Sequence, residues 1–158
     1  LDQIVGIPNH RFLTQHSDSL EKDTLQPGKP ACFLSLKIKN LPELYSSFGV
    51  KHGDLFQRGI ASTVSTILPS PKYIFKFSET IYIVILVNQN WSDVQPYKIK
   101  LETVLNSAPL FVEGKSMKVC AELGISCFPD NGKTISQLIG ASLYKSTSKI
   151  FPKRKMTL

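Results

Sequence analysis

The 158-residue chain is poor in the residue types that build staples and metal centres: it has three cysteines, three histidines and one tryptophan. Cys32, Cys120 and Cys127 show no Cys-x-x-Cys spacing and lie on apolar, strand-like runs, which predicts reduced, buried thiols rather than disulfides or zinc ligands. His10, His16 and His52 share no spacing with cysteine, aspartate or glutamate that would assemble a metal site, so they are expected at the surface or at helix caps. Long hydrophobic runs are missing as well. The longest, Ile81–Val87 with Tyr82 inside it, falls far short of the roughly 20 residues of a spanning helix, and the N-terminus lacks a signal-peptide pattern. A soluble segment in a reducing cytoplasm is the expectation.

Acidic residues are also scarce, 12 against 19 lysines and arginines, for a net charge of +7. Such a balance raises the possibility of a nucleic-acid or membrane-surface partner. The lysines are scattered, however, and the one dense run, Lys153-Arg154-Lys155, sits in a proline-led tail that reads as a solvated linker. Nucleic acid is therefore not the expected partner. With 42% hydrophobic residues, no internal repeat and no composition break, the chain is expected to form one domain over residues 1–150, followed by a basic linker over 151–158. Leu1 and Leu158 do not read as natural termini, so a longer parent protein is expected.

Spacing predicts the elements. Pro8 and the recurrence of Phe12, Leu13, His16 and Leu20 predict a helix over 9–24, broken by Gln26-Pro27-Gly28-Lys29-Pro30. Alternation predicts a strand over 31–39, with Cys32, Leu34, Leu36 and Ile38 on one face and Phe33, Ser35, Lys37 and Lys39 on a face that turns polar at its C-terminal half. A short helix over 41–48 should end at Gly49, and a longer one over 52–68 should bury Leu55, Phe56, Ile60, Val64 and Ile67 until Pro69 and Pro71 stop it. Two strand-like runs, 72–77 and 81–87, flank the tight turn Ser78-Glu79-Thr80 and predict a hairpin at the centre of a mixed sheet. A Ser92-capped helix should run to Asn106 with Tyr97, Leu101, Val104 and Leu105 inward. One or two strands around Glu113-Gly114-Lys115, a turn at Asp130-Asn131-Gly132 and a Thr134-capped helix to Ser148 complete the series.

Four ordered segments carry a family resemblance. Asp2 with Ile4–Leu13 (IVGIPNHRFL) is similar to the opening D-x-LTGLPNRR-x-F of GGDEF domains, the enzymes that make cyclic di-GMP. Leu123–Gly132 (LGISCFPDNG) resembles the SIGIA-x-x-P-x-D-G segment of members that precede an EAL phosphodiesterase domain, and Ala141–Ser146 (ASLYKS) resembles the ALYxAK helix. The signature Gly-Gly-Asp/Glu-Glu-Phe falls on Ser78, Glu79, Thr80, Ile81 and Tyr82. Recurrence in register is far more specific than any one pentapeptide. The resemblance implies an α/β (α+β) fold: the single, palm-like, ferredoxin-related nucleotidyl-cyclase domain, a central mixed antiparallel sheet flanked by helices.

The same alignment implies that the chemistry has been dismantled. Two-metal phosphoryl transfer needs hard carboxylate oxygens to hold Mg²⁺. The family's strand motif DIDxFKxIND aligns with Lys37 through Ser46, which places Lys37 at a metal-binding aspartate, and the second carboxylate position is Thr80. Tyr45 replaces an asparagine that reads guanine, Pro42 replaces a phosphate-contacting lysine, and Thr147 and Phe151 fall where the last helix supplies lysine and arginine. Asp54 retains the guanine-reading acid. The inhibitory RxxD site aligns with Pro69-Ser70-Pro71-Lys72 and is absent.

Plain readings stand beside these. Asp54 also suits a helix N-terminus, Glu79 an exposed turn, and Lys37 and Lys39 a solvated strand face. The expectation is thus a domain without catalytic residues and without Mg²⁺ or another cofactor, serving as a regulatory or dimerising module of a bacterial cyclic-di-GMP signalling protein. The resemblance implies an EAL domain in cis as partner, a homodimer as a further contact, and a bacterial cytoplasmic location, at the inner membrane only through other domains. A nucleotide sensor binding GTP weakly through Asp54, Lys37 and Lys39 is the first alternative, and a basic nucleic-acid module the second.

Overall fold

A computed structural model describes residues 2–107 and 109–147. The tail over 151–158, Phe151 and the Thr147 side chain lie outside the described residues. The chain opens with α1 (His10–Gln15) and α2 (Ser17–Thr24). Asn9 caps α1, its Oδ1 accepting from the Phe12 amide at 3.0 Å. The single helix expected over 9–24 breaks at His16, which leaves helical geometry (φ −116, ψ 16). Leu13 and Leu20 are both buried on either side of that bend.

The main sheet has four strands, β1 (Ala31–Ile38), β2 (Lys72–Lys76), β3 (Ile81–Val87) and β6 (Ala121–Phe128), in the order β2-β3-β1-β6. The hairpin forms where expected, with Lys76 opposite Tyr82, yet β2 lies at the edge rather than the centre. Apolarity decides the position: β1 is buried on both faces over most of its length, and it takes an inner place between β3 and β6. All three ladders are antiparallel; among the described residues the parallel component expected of a mixed sheet shrinks to one isolated bridge, Asn9 to Lys76. The separate strands β4 (Leu110–Val112) and β5 (Lys115–Met117) form a small hairpin.

Helices cover both faces. Cys32, Leu34, Leu36 and Ile38 pack with Tyr82, Val84 and Leu86 against α3 (Leu41–Ile67) and α4 (Trp91–Ser107). Phe33, Phe75, Ile83 and Ile85 pack on the other side with Leu13, Leu20 and the final helix α5 (Ile135–Thr147). The β1 face expected to turn polar is therefore covered: Ser35 is buried and its hydroxyl donates to the Ser142 carbonyl at 3.1 Å. Alternation identified the face, but only tertiary packing supplies the backbone acceptor that lets a serine be buried there.

Two helical segments meet at Gly49 within α3, as expected: Gly49 leaves helical geometry (φ 87, ψ 170), a break that a side chain would disfavour. Phe56, Ile60 and Val64 are buried as expected. Helix α4 is capped by Asn90 and not Ser92: Asn90 Oδ1 accepts from the Asp93 amide at 2.9 Å and Asp93 Oδ2 from the Asn90 amide at 3.0 Å, a reciprocal cap. Val94 is buried while Val104 is exposed. Thr134 caps α5 through the Gln137 amide, as its sequence predicts.

Two asparagines hold the start of β6. Asn106 at the end of α4 accepts from the Ala121 amide at 2.7 Å and donates to the Ala121 carbonyl at 3.1 Å. Asn40 before α3 accepts from the Cys120 amide at 3.0 Å and donates to the Lys118 carbonyl at 2.7 Å. The cysteine expectation needs correction. Cys32 and Cys127 are direct register partners of β1 and β6 and form a disulfide, while the free Cys120 is exposed. Antiparallel pairing places their side chains opposite each other on one face, which a separation of 95 residues conceals.

Candidate functional site

The kink at Gly49 aims the second part of α3 across the end of the sheet, so that Asp54 and Gln57, one turn apart, face the β3 strand. Tyr82, the fifth residue of the aligned signature, is 1% exposed and points to that same face. A continuous hydrogen-bond chain results. Tyr82 Oη donates to Gln57 Oε1 at 2.8 Å, Gln57 Nε2 donates to Tyr45 Oη at 2.7 Å, and Tyr45 Oη donates to Asp54 Oδ1 at 2.6 Å. The Tyr45 ring lies directly on Gly53: a Cβ there would fall 2.5 Å from the ring carbons. Only glycine permits that approach.

Burial, followed by the hydrogen bond to Asp54, pushes the Tyr45 phenol up to about 12. Burial also drives the Tyr82 phenol upward, and the charge of Asp2 adds to the effect. Both hydroxyls are neutral donors at physiological pH.

The N-terminal segment closes one side. Asp2 accepts through Oδ1 from the amides of Ile4 and Val5, and its Oδ2 lies 3.5 Å from Nζ of Lys76, a lysine only 7% exposed. The Lys76 amide donates to the Pro8 carbonyl, and Arg58 Nε donates to the Ile4 carbonyl at 2.7 Å. Between this segment, the start of α3 and the hairpin turn lies an open cleft of about 450 Å³, whose walls include Tyr45, Asp54, Gln57, Lys76, Glu79 and Thr80.

The sequence-predicted residues are thus divided. Asp54, Glu79 and Thr80 meet at the cleft, and Ser78 and Glu79 are exposed as a solvated turn requires. Lys37 does not line it. Alternating with Leu36 and Ile38, Lys37 projects from the opposite face of the sheet, where its register partner is Glu122. Lys39 lies 3.6 Å from that buried glutamate in an ion pair. Backbone register nevertheless sets the two aligned metal positions side by side: the Thr80 carbonyl accepts from the Ile38 amide at 2.8 Å, and Lys37 pairs with Ile81. His52 lies 3.5 Å from Glu113, whereas His10 and His16 are exposed.

Gln57 and Lys76 were not singled out by the sequence reading. Lys76 carried a signal: alternation in β2 puts it on the face of Ile74, where an apolar residue is the norm. Gln57 had a weaker one, its position three residues after Asp54 on the same helical face.

Comparison with known proteins places these observations. The family model for the diguanylate cyclase GGDEF domain matches residues 1–145. Among curated proteins, the response regulator PleD of Caulobacter vibrioides is 24% identical over 140 residues, an alignment that takes in 87% of this chain and 31% of PleD. The chain thus spans about a third of the length of that relative. Among solved structures, the GGDEF domain of TpbB, also called YfiN, from Pseudomonas aeruginosa aligns with a TM-score of 0.81 at 17% identity, covering 98% of this chain and 88% of that one. The GGDEF domain of FimX from the same organism aligns with a TM-score of 0.79 at 13% identity, covering 92% and 90%. At such identity the likeness concerns the fold.

Proposed function

This chain belongs to the GGDEF family of diguanylate cyclase domains, and we propose that it is a member without catalytic activity that regulates a neighbouring domain. One observation carries the reading. At the two aligned metal positions, neighbours along the backbone where β1 meets the hairpin turn, the chain carries Lys37 and Thr80 instead of two carboxylates, and only Thr80 lines the cleft. Mg²⁺ requires hard anionic oxygens in near-octahedral array, and a lysine supplies neither a donor oxygen nor the compensating charge. Glu122, the acid in register beside Lys37, is engaged by Lys39 at 3.6 Å. These residues do not fit the metal pair that phosphoryl transfer demands.

The role that remains is mechanical. The N-terminal segment is tied to the hairpin through Asp2 and Lys76 and to α3 through Arg58, so a displacement of that segment would be felt by both elements. We assign the output to a cyclic-di-GMP phosphodiesterase domain of the EAL type in cis, in a bacterial cytoplasmic protein, with a second copy of the domain as a further partner. GTP sensing through Asp54 is the second reading. The Tyr45 hydroxyl already occupies one oxygen of that carboxylate, so GTP affinity is expected to be no tighter than roughly 100 µM, about −5.5 kcal/mol.

The test is an assay of the purified chain with GTP and Mg²⁺ or Mn²⁺. No cyclic di-GMP is expected; product above that of a Thr80→Ala control would sink the proposal. A micromolar, Mg²⁺-dependent GTP isotherm abolished by Asp54→Ala would promote the sensor instead.

A further inference from the structure

A second groove, of about 400 Å³, lies between α1–α2 and α5 and shares no lining residue with the cleft at Tyr45 and Asp54. Its two walls are of opposite kinds. His10 and Thr14 from α1, followed by Ser17 and Glu21 from α2, recur at helical spacing and set a polar stripe along one side. Ile135, Ile139 and Leu143 of α5 form an apolar stripe along the other. Helices that pack directly on one another put apolar side chains on both sides of the seam, and here only one side does. Gly140, in the interior of α5, lines the same groove. Glycine weakens a helix there, yet nothing lies within 4 Å of the place its Cβ would take and its φ is not positive, so neither packing nor backbone conformation calls for it. What its bare backbone preserves is the groove. We propose that this groove binds a small amphipathic amine, with the ammonium group at Glu21 and the hydrocarbon body on Ile135, Ile139 and Leu143.

Glu21 sets the charge of the ligand. Its Oε2 accepts from the Ile135 amide at 2.9 Å, which fixes the carboxylate in place, and among the described residues no cation pairs with it. Ser17, one turn earlier on the same face, adds a hydroxyl oxygen. An ammonium group brings three donors and a positive charge to these acceptors, whereas a carboxylate or phosphate would meet Glu21 as a like charge. The net charge of +7 opposes a cation only weakly, because charges scattered over the surface are screened within about 10 Å. At the other end of the polar stripe the His10 ring lies 4.6 Å from that of Phe77, so the ligand body meets aromatic as well as aliphatic surface. The volume suits a small organic molecule.

Titration of the 158-residue chain with phenethylamine and with 2-phenylethanol, its uncharged counterpart, followed by backbone amide NMR shifts, tests it. The amine should saturate with a Kd of about 1 mM or tighter and shift amides of α5 between Ile135 and Leu143. The alcohol should bind at least tenfold more weakly. Glu21→Gln, which keeps an acceptor for the Ile135 amide, should erase that preference. Gly140→Leu, whose side chain enters the open space, should keep or raise the melting temperature and weaken amine binding at least tenfold. Equal affinity for the two probes overturns the proposal, as does the absence of a saturating shift in α5, an amine preference that survives Glu21→Gln, or undiminished binding by Gly140→Leu. A lowered melting temperature for Gly140→Leu overturns it too, because the glycine would then serve the packing of α5 and not the groove.

Discussion

Replacing Tyr82 by phenylalanine restores the residue typical of the aligned signature, yet it should destabilise this chain. Gln57 is 2% exposed and its Oε1 accepts from the Tyr82 hydroxyl at 2.8 Å, so removing that hydroxyl strands a buried carbonyl oxygen. An unsatisfied buried group costs about 1–3 kcal/mol. Gln57→Leu strands the Tyr82 hydroxyl by the same mechanism, and it also loses the bond to Tyr45, which adds about 0.5–1.5 kcal/mol. In the double variant neither buried partner remains, and the apolar pair leaves only the smaller loss at Tyr45. Urea unfolding followed by circular dichroism should therefore return a coupling energy of about 2 kcal/mol or more, the sum of the two penalties of about 1–3 kcal/mol that the double variant avoids, the double variant being more stable than the sum of the single effects predicts. Additivity within about 0.5 kcal/mol would refute the claim that these two side chains satisfy each other.

Stability at alkaline pH should report on Tyr45: with its phenol raised to about 12 against a usual value near 10, the folded chain keeps a proton that the unfolded chain releases. That contribution is complete below pH ~10 and is lost as pH rises to about 12, so Tyr45→Phe should show a flatter stability curve over that interval, and an unchanged slope would argue against the shift. Asn106→Ala removes a side chain that bonds both the amide and the carbonyl of Ala121, and thermal or urea unfolding should register a loss of about 1–3 kcal/mol. Iodoacetamide applied to the unfolded, unreduced chain should label Cys120 alone, with Cys32 and Cys127 reacting only after reduction; labelling of all three without reductant would exclude the pairing across β1 and β6.

Local patterns carried most of the fold. The hairpin turn at Ser78-Glu79-Thr80, the break at Gly49 and the Thr134 cap all depend on nearest neighbours, and each stands where the residues place it. What failed to show in the sequence depends on partners far along the chain. The buried Ser35 needs the Ser142 carbonyl, the edge position of β2 depends on where β1 finds its two neighbours, and the Cys32–Cys127 pair depends on register. The cleft divides along the same line. Asp54, Tyr45 and the signature turn were visible as aligned positions, but nothing local distinguishes a tyrosine that faces solvent from one laid across Gly53. Lys37 and Lys39 were grouped with Asp54 on charge alone, and strand alternation sends Lys37 away from it.

The asparagine bracket at the start of β6 has a kinetic meaning. The amides of Cys120 and Ala121 are bonded to the side chains of Asn40 and Asn106 rather than to a neighbouring strand. Exchange of their hydrogens with deuterated solvent requires only that a side-chain amide swing aside, whereas the amides of β1 and β3 must wait for strands to separate. These two positions should therefore exchange through small, local openings, slower than free loop amides and faster than the ladder beside them. The entry to the edge strand β6 is in effect a hinge with its own opening rate, set by the rotamers of Asn40, just before α3, and Asn106, at the end of α4, and independent of global unfolding.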